Sequence, residues 1–291
     1  MEEEEYDELD AYIDSLINEE LSKLITNEIG LCSCQFFKLD PAKGLAPFAS
    51  GVMVQLSGSH YILTASHVIE DWSDSNKLFL EIQGGQHISV VGKGCGTISE
   101  EGERIDVAYI KLKDTIVPYL KPWYKFLPLK KILKHNKLLL EANYCVFGYP
   151  VSNKRKENGV LKTFGAAYWV NPSYDKVFNY YGLDPLTHYV LEFKGKAANI
   201  KTGKPEKIKA EHYGLSGGGL WYTDVKAYNG KFRSEARLIG IMIEFRKGKY
   251  ECLIANRMEI LLASLYHNEG ISVKKGKVKN ARLFPDLKGT I

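Results

Sequence analysis

Tyr213-Gly214-Leu215-Ser216-Gly217-Gly218-Gly219-Leu220-Trp221 sets one serine among four glycines, directly before an apolar run. Glycines at such a place allow a tight turn whose backbone N–H groups converge, and they leave room for a substrate carbonyl beside the hydroxyl. A glycine-rich hairpin connection has the same composition. Taken alone, the stretch leaves a turn and a nucleophile site both open, so its weight depends on its surroundings.

Outward from it the apolar pattern is short and interrupted: 51–56, 61–64, 77–82, 88–91, 107–112, 144–147, 188–193, 238–245 and 250–254. These nine segments are rich in Val, Ile, Tyr and Phe and are divided by Gly, Ser, Asn, Asp and Pro, which predicts the strands of an all-β, antiparallel body. Alternating strand and helix units are absent. The stretch 116–137, with Pro118, Pro122, Pro128 and the pair Lys130-Lys131, reads as a crossing linker between two β halves. Asn256 is placed to cap a helix over 257–266, with Met258, Leu261, Leu262 and Leu265 on one side. At the other end Leu9, Tyr12, Ile13, Leu16, Ile17, Leu21, Leu24 and Ile25 recur at helical spacing, with Gly30 as the expected stop. The predicted organisation is a helical arm (1–30), a first β unit (31–120), a linker (121–137), a second β unit with its terminal helix (138–266) and a basic tail (267–291).

A serine hydroxyl is a poor nucleophile unless a base takes its proton, and that base needs a third group to fix its tautomer. Tyr61-Ile62-Leu63-Thr64-Ala65-Ser66-His67-Val68 ends an apolar strand just before a histidine, and Arg104-Ile105-Asp106-Val107-Ala108-Tyr109-Ile110 opens another with an aspartate. At these residues the chain resembles the chymotrypsin-like (trypsin-like) serine peptidases, in their bacterial intracellular form. That family's Thr-Ala-Ala-His, Asp-[IV]-Ala and Gly-x-Ser-Gly-Gly motifs match in the order His, Asp, Ser, with gaps of 39 and 110 residues. Val146-Phe147-Gly148-Tyr149-Pro150 and Leu238-Ile239-Gly240-Ile241 are similar to two further family segments, and the likeness covers about residues 45–266. The resemblance implies two six-stranded-type antiparallel β-barrels, the first carrying His67 and Asp106 and the second Ser216. It implies a serine endopeptidase: His67 as general base and then acid, Asp106 orienting it, Ser216 attacking the carbonyl to form an acyl-enzyme, and the N–H groups of Gly214 and Ser216 as the oxyanion hole. No cofactor is implied.

The chain departs from the family in places. Leu215 stands where trypsin-type zymogens carry an aspartate, so activation by N-terminal cleavage cannot operate. Gly219 replaces the usual proline, and the serine that supports the orienting aspartate is replaced by Met242 or Ile243. The resemblance places Lys209, Ala210, Glu211, Ile243, Glu244 and Phe245 around the primary substrate pocket. Glu211 or Glu244 there would select a basic side chain, whereas either facing solvent would select nothing. The segment 151–211, with Tyr174, Tyr180 and Tyr181, is long for its place and reads as a lid, an exosite or a plain loop.

The 291 residues are 45% apolar, ample for a core, with no run approaching the roughly 20 residues of a membrane span. Eleven acids against Lys23 in residues 1–30 leave +14 on the remaining 261 residues, an acidic arm on a basic body. Such an arm packs on its own domain, or is held electrostatically and contacted by a protein activator or inhibitor. Lys274, Lys275, Lys277, Lys279, Arg282 and Lys288 lack interleaved aromatic residues, which argues against specific nucleic-acid binding. Five cysteines at irregular spacing and an acidic N-terminus without a secretory pattern predict a reducing cytoplasm. Cys32-Ser33-Cys34 lacks partners at zinc spacing, no phosphate-loop or dinucleotide fingerprint occurs, and Gly92 to Gly96 reads as a hairpin. The expected partner is a protein or peptide substrate, with neither membrane nor metal. The competing expectations are a catalytically silent protease-like binding scaffold and an effector peptidase switched on by a larger bacterial defence assembly.

Overall fold

The computed structural model describes residues 2–271, except residues 43, 74, 83–84, 98–103, 134–137, 139–141, 158–159, 194–195, 199–204, 208–212 and 230. All nine expected segments fall on strands, with ends displaced by a few residues.

The first sheet comprises β1 (Ser33–Asp40), β2 (Gly44–Leu56), β3 (Ser59–Thr64), β4 (Leu78–Glu81), β5 (His87–Ser89), β6 (Gly92–Gly96) and β7 (Ala108–Leu112), in the order β5-β4-β1-β2-β3-β7-β6. An eighth short strand, β8 (Leu127–Pro128), pairs parallel with β2. The second unit is a closed barrel of β9 (Asn143–Gly148), β12 (Ala166–Pro172), β13 (His188–Glu192), β18 (Cys252–Arg257), β17 (Lys231–Arg246) and β16 (Gly219–Tyr228). Two small hairpins, β10 (Lys154–Glu157) with β11 (Val160–Thr163) and β14 (Lys196–Ala198) with β15 (Pro205–Lys207), stand outside it.

Period-2 alternation sorts the side chains into three cores. Tyr144, Val146, Tyr189, Leu191, Leu220, Leu253 and Ala255 fill the barrel. On the same strands, Val190, Cys252 and Ile254 point out of it and join Phe36, Met53, Ile62 and Ile110 of the first sheet. The opposite face of that sheet, through Val52, Val54, Tyr61, Leu63 and Tyr109, meets Trp221, Leu238 and the helices. Sheet and barrel therefore share apolar surface on both sides of β2 and β3.

The segment Gly92 to Gly96 is an edge strand. Its glycines are required because a Cβ on Gly92 would lie 2.2 Å from Lys111 O, and one on Gly96 would lie 2.4 Å from Ser66 Oγ.

The N-terminal helix α1 (Glu2–Leu24) passes through a π turn (Ile25–Ile29) into α2 (Gly30–Cys32). Gly30 does not stop it, for its φ of −62° and ψ of −39° are right-handed helical. The wider turn keeps Leu24, Ile25, Ile29 and Cys32 all buried in the shared core, and that burial outweighs the glycine. Short helices α3 (Ser66–Ile69), α4 (Val117–Leu120) and α5 (Asp175–Tyr181) are followed by α6 (Met258–Glu269). Helix α6 begins after Arg257, and Asn256, expected as its cap, is instead a strand residue of β18. Among the described residues, no helix is long and apolar enough to cross a membrane. The cations of the tail beyond residue 271, and Lys209, Ala210 and Glu211, lie outside the described residues.

Candidate active site

β3 is a run of apolar and β-branched residues that ends at Thr64, and extended Ala65 turns the chain into the single helical turn α3. His67 is thereby presented at the strand's end. Ser66 Oγ anchors the turn by donating to Thr97 O at 2.7 Å. Asp106 faces it from the segment just before β7, accepting His67 N–H at 3.0 Å on one oxygen and lying 2.5 Å from Nδ1 on the other. A carboxylate that takes both groups fixes the ring: Nδ1 carries the proton and Nε2 is left as the basic nitrogen. The hydrogen bond to Asp106 raises the imidazole above its ordinary value, and burial opposes it.

Ser216 lies in a turn held from both units. Ser50 of β2 donates its N–H to Ser216 O (2.8 Å) and its hydroxyl to Gly214 O (2.6 Å), while Tyr149 N–H donates to that same hydroxyl (2.8 Å). Thr64 Oγ1 donates to Ser50 O at 2.8 Å, which connects the end of the histidine strand to the serine turn through one residue. Gly217 has a φ of +83°, and a Cβ there would sit 2.0 Å from Ser50 O, so the close approach requires glycine. The N–H groups of Gly217 and Gly218 are taken by Met242 O (2.7 Å) and Leu215 O (2.8 Å). Among the described residues, those of Gly214 and Ser216 have no acceptor, which leaves two donors for an incoming oxygen.

Leu215 is buried with Tyr144, Val146 and Tyr168. Apolar packing thus holds the turn where an ion pair would hold it in a zymogen-derived enzyme. Gly219 is also explained by packing, since a Cβ there would lie 2.4 Å from Trp221 Nε1.

The Ser216 hydroxyl donates to Ile243 O at 3.1 Å, and no hydrogen bond joins it to His67 among the described residues. Ile243 is the extra residue of a β-bulge, because Met242 pairs with Ala255 and Glu244 with Ile254. A bulge re-aims a carbonyl away from the ladder. The Ile243 side chain itself is buried in the core. Glu244 forms an ion pair with Arg246 at 2.7 Å, so its charge has a partner on its own strand.

Three residues that hold this arrangement, Ser50, Thr97 and Asn256, carry no motif. Asn256 Oδ1 accepts Asp106 N–H at 2.8 Å. Their one mark in the sequence is polarity inside apolar strands or at strand ends. All five cysteines are free and buried, and burial pushes the thiols of Cys32 and Cys145 up to about 12. Among the described residues, no group of His, Cys, Asp and Glu is arranged to hold a metal ion. A scan against protein-family models finds no match to this chain, and a search of curated proteins finds none either.

Proposed function

We propose that this chain is a serine endopeptidase of the chymotrypsin-like double-barrel fold, with His67, Asp106 and Ser216 as its triad. The observation that carries the reading is the Asp106 carboxylate on both Nδ1 and the backbone N–H of His67, at 2.5 and 3.0 Å, beside a serine turn with two N–H groups that have no acceptor among the described residues. In the reaction, His67 Nε2 takes the hydroxyl proton as Ser216 Oγ bonds to the scissile carbonyl carbon. The Gly214 and Ser216 N–H groups receive the oxyanion. The C–N bond then breaks, with the proton passing from His67 to the leaving amine. Water attacks the acyl-enzyme by the same route, returning Ser216 and releasing the acid. An oxyanion donor of this kind contributes roughly 10²- to 10³-fold in rate.

The curled first sheet and the closed barrel support the fold assignment. Five buried free thiols fit a reducing cytoplasm. One observation favours the silent-scaffold reading: the Ser216 hydroxyl is engaged by Ile243 O and not by His67. The engagement is one hydrogen bond, and rotation about the Ser216 Cα–Cβ bond releases the hydroxyl from it. A fluorophosphonate probe on the purified chain decides between the two. Labelling in the wild type that is abolished in Ser216→Ala supports the peptidase; a folded wild type that does not label supports the scaffold.

A further inference from the structure

Asp106 belongs to a stretch, residues 104–107, outside any strand, so its backbone polar groups must be satisfied from elsewhere. Val107 O takes the backbone N–H of Thr97 at 3.0 Å, and side chains take much of the rest. Thr97 Oγ1 donates to Ile105 O at 2.8 Å and accepts Val107 N–H at 3.1 Å. Asn256 Oδ1 accepts Asp106 N–H at 2.8 Å, and its Nδ2 donates to Thr187 O at 3.3 Å. His188 Nε2 lies 2.9 Å from Arg104 O, and its Nδ1 lies 2.7 Å from Thr187 Oγ1. A carbonyl only accepts, so Nε2 carries the proton toward Arg104 O, while Nδ1 faces the Thr187 hydroxyl and, at 3.3 Å, Asp184 O, to which that hydroxyl also donates at 3.1 Å. The Asn256 amide is oriented by the same logic, with an N–H at one end and a C=O at the other.

Asn256 and His188 are both buried, on the paired barrel strands β18 and β13. Each holds the backbone of a segment that belongs to the other unit. A buried amide in an apolar strand is costly unless it is bonded, and here one end is bonded to Asp106 N–H and the other to Thr187 O. We propose that Asn256, with His188 behind it, is a positioning residue for the Asp106 carboxylate, so that the barrel sets the alignment of the base in the first sheet. The proposal rests on the peptidase reading. A small rotation of the 105–106 peptide carries the carboxylate off the two His67 donors. Besides Asp106, the charges acting on His67 are Glu70, next to α3, and Lys38 on β1.

The test uses the full chain with Asn256→Leu, His188→Leu and His188→Gln, checked for folding by thermal unfolding. The rate of fluorophosphonate labelling is followed against pH, and the His67 imidazole is titrated by NMR. Both leucine variants are expected to slow labelling roughly 10- to 100-fold. They are also expected to move the His67 titration to lower pH. His188→Gln keeps a nitrogen donor for Arg104 O and should restore most of the rate. Folded leucine variants with wild-type rate and an unmoved His67 titration overturn the proposal. Should Asn256→Leu not fold, the two His188 variants decide it. Should the wild type not label, the peptidase reading falls, and the NMR titration alone decides the positioning role: a shift upholds it and no shift overturns it.

Discussion

Asp106 accepts two hydrogen bonds from a single residue, and an amide in its place cannot. In Asp106→Asn, an amide nitrogen turned toward Nδ1 forces the imidazole proton onto Nε2, where the base should be. Labelling should fall by about 10⁴-fold, as in comparable triads. The pH profile should change with it. The raised His67 must lose its proton to act, so wild-type labelling climbs with pH through a midpoint above the ordinary value of 6.5, and in Asp106→Asn the midpoint drops. The stability term has the matching sign: protonated His67 stabilises the fold fully below its unfolded pKa, and this is lost as the pH rises through the folded value. A urea titration of wild type and variant across that window checks it. Gly217→Ala should abolish labelling and cost at least ~1 kcal/mol in the same assay, because alanine is strained at a φ of +83°. The motif residues His67, Asp106 and Ser216 were legible because each carries a local sequence context. Asn256 was not. A polar residue between an apolar strand and a helix reads equally as a cap, and only a contact 150 residues away separates the two roles.

Among the elements, the N-terminal arm takes the first of its two expected forms and packs on its own domain. Leu21 and Leu24 at the end of α1, and Ile25 and Ile29 of the π turn, are buried in one core with Trp221 and Leu238. Leu24→Ala should cost about 2–5 kcal/mol in thermal or urea unfolding. Deletion of residues 1–30 therefore tests stability, and cannot serve to test restraint. The informative deletion is 2–16. Glu20 O accepts the Ser234 hydroxyl, nine residues along β17 from Ile243, a separation of roughly 30 Å. The arm is bonded to β17 there, at Glu20, and deleting 2–16 is expected to leave both folding and the labelling rate unchanged. A rise in rate would instead mark a restraining arm. β1, β6, β12 and β16 lie outside the nine expected segments, and for β6 the reason is plain: its three glycines are poor strand formers by themselves, and they are required there because neighbouring groups, Lys111 O of β7 and Ser66 Oγ of α3 among them, leave no room for a Cβ.

At the scale of the whole molecule, the residues of the proposed triad are divided between the two units. Ser50 of the sheet holds the serine turn of the barrel, and Asn256 and His188 of the barrel hold the aspartate of the sheet. Ser50→Ala would strand Gly214 O and Tyr149 N–H. It should cost about 1–3 kcal/mol and slow labelling, both readable on one preparation. The strand content and the two-part division were legible from periodicity and turn residues, since those are local. The reciprocal grip was not, because it consists of single hydrogen bonds between distant residues. It also bears on the order in which the protein is made. Asp106 leaves the ribosome 150 residues before Asn256, which at roughly 5–20 residues per second is a delay of about 8–30 s. For the first 110 of those residues the nascent chain has its histidine and its aspartate but not Ser216, and Asn256 is still missing for 40 residues more, so under the proposed function a half-made copy lacks first the nucleophile and then the amide that holds Asp106.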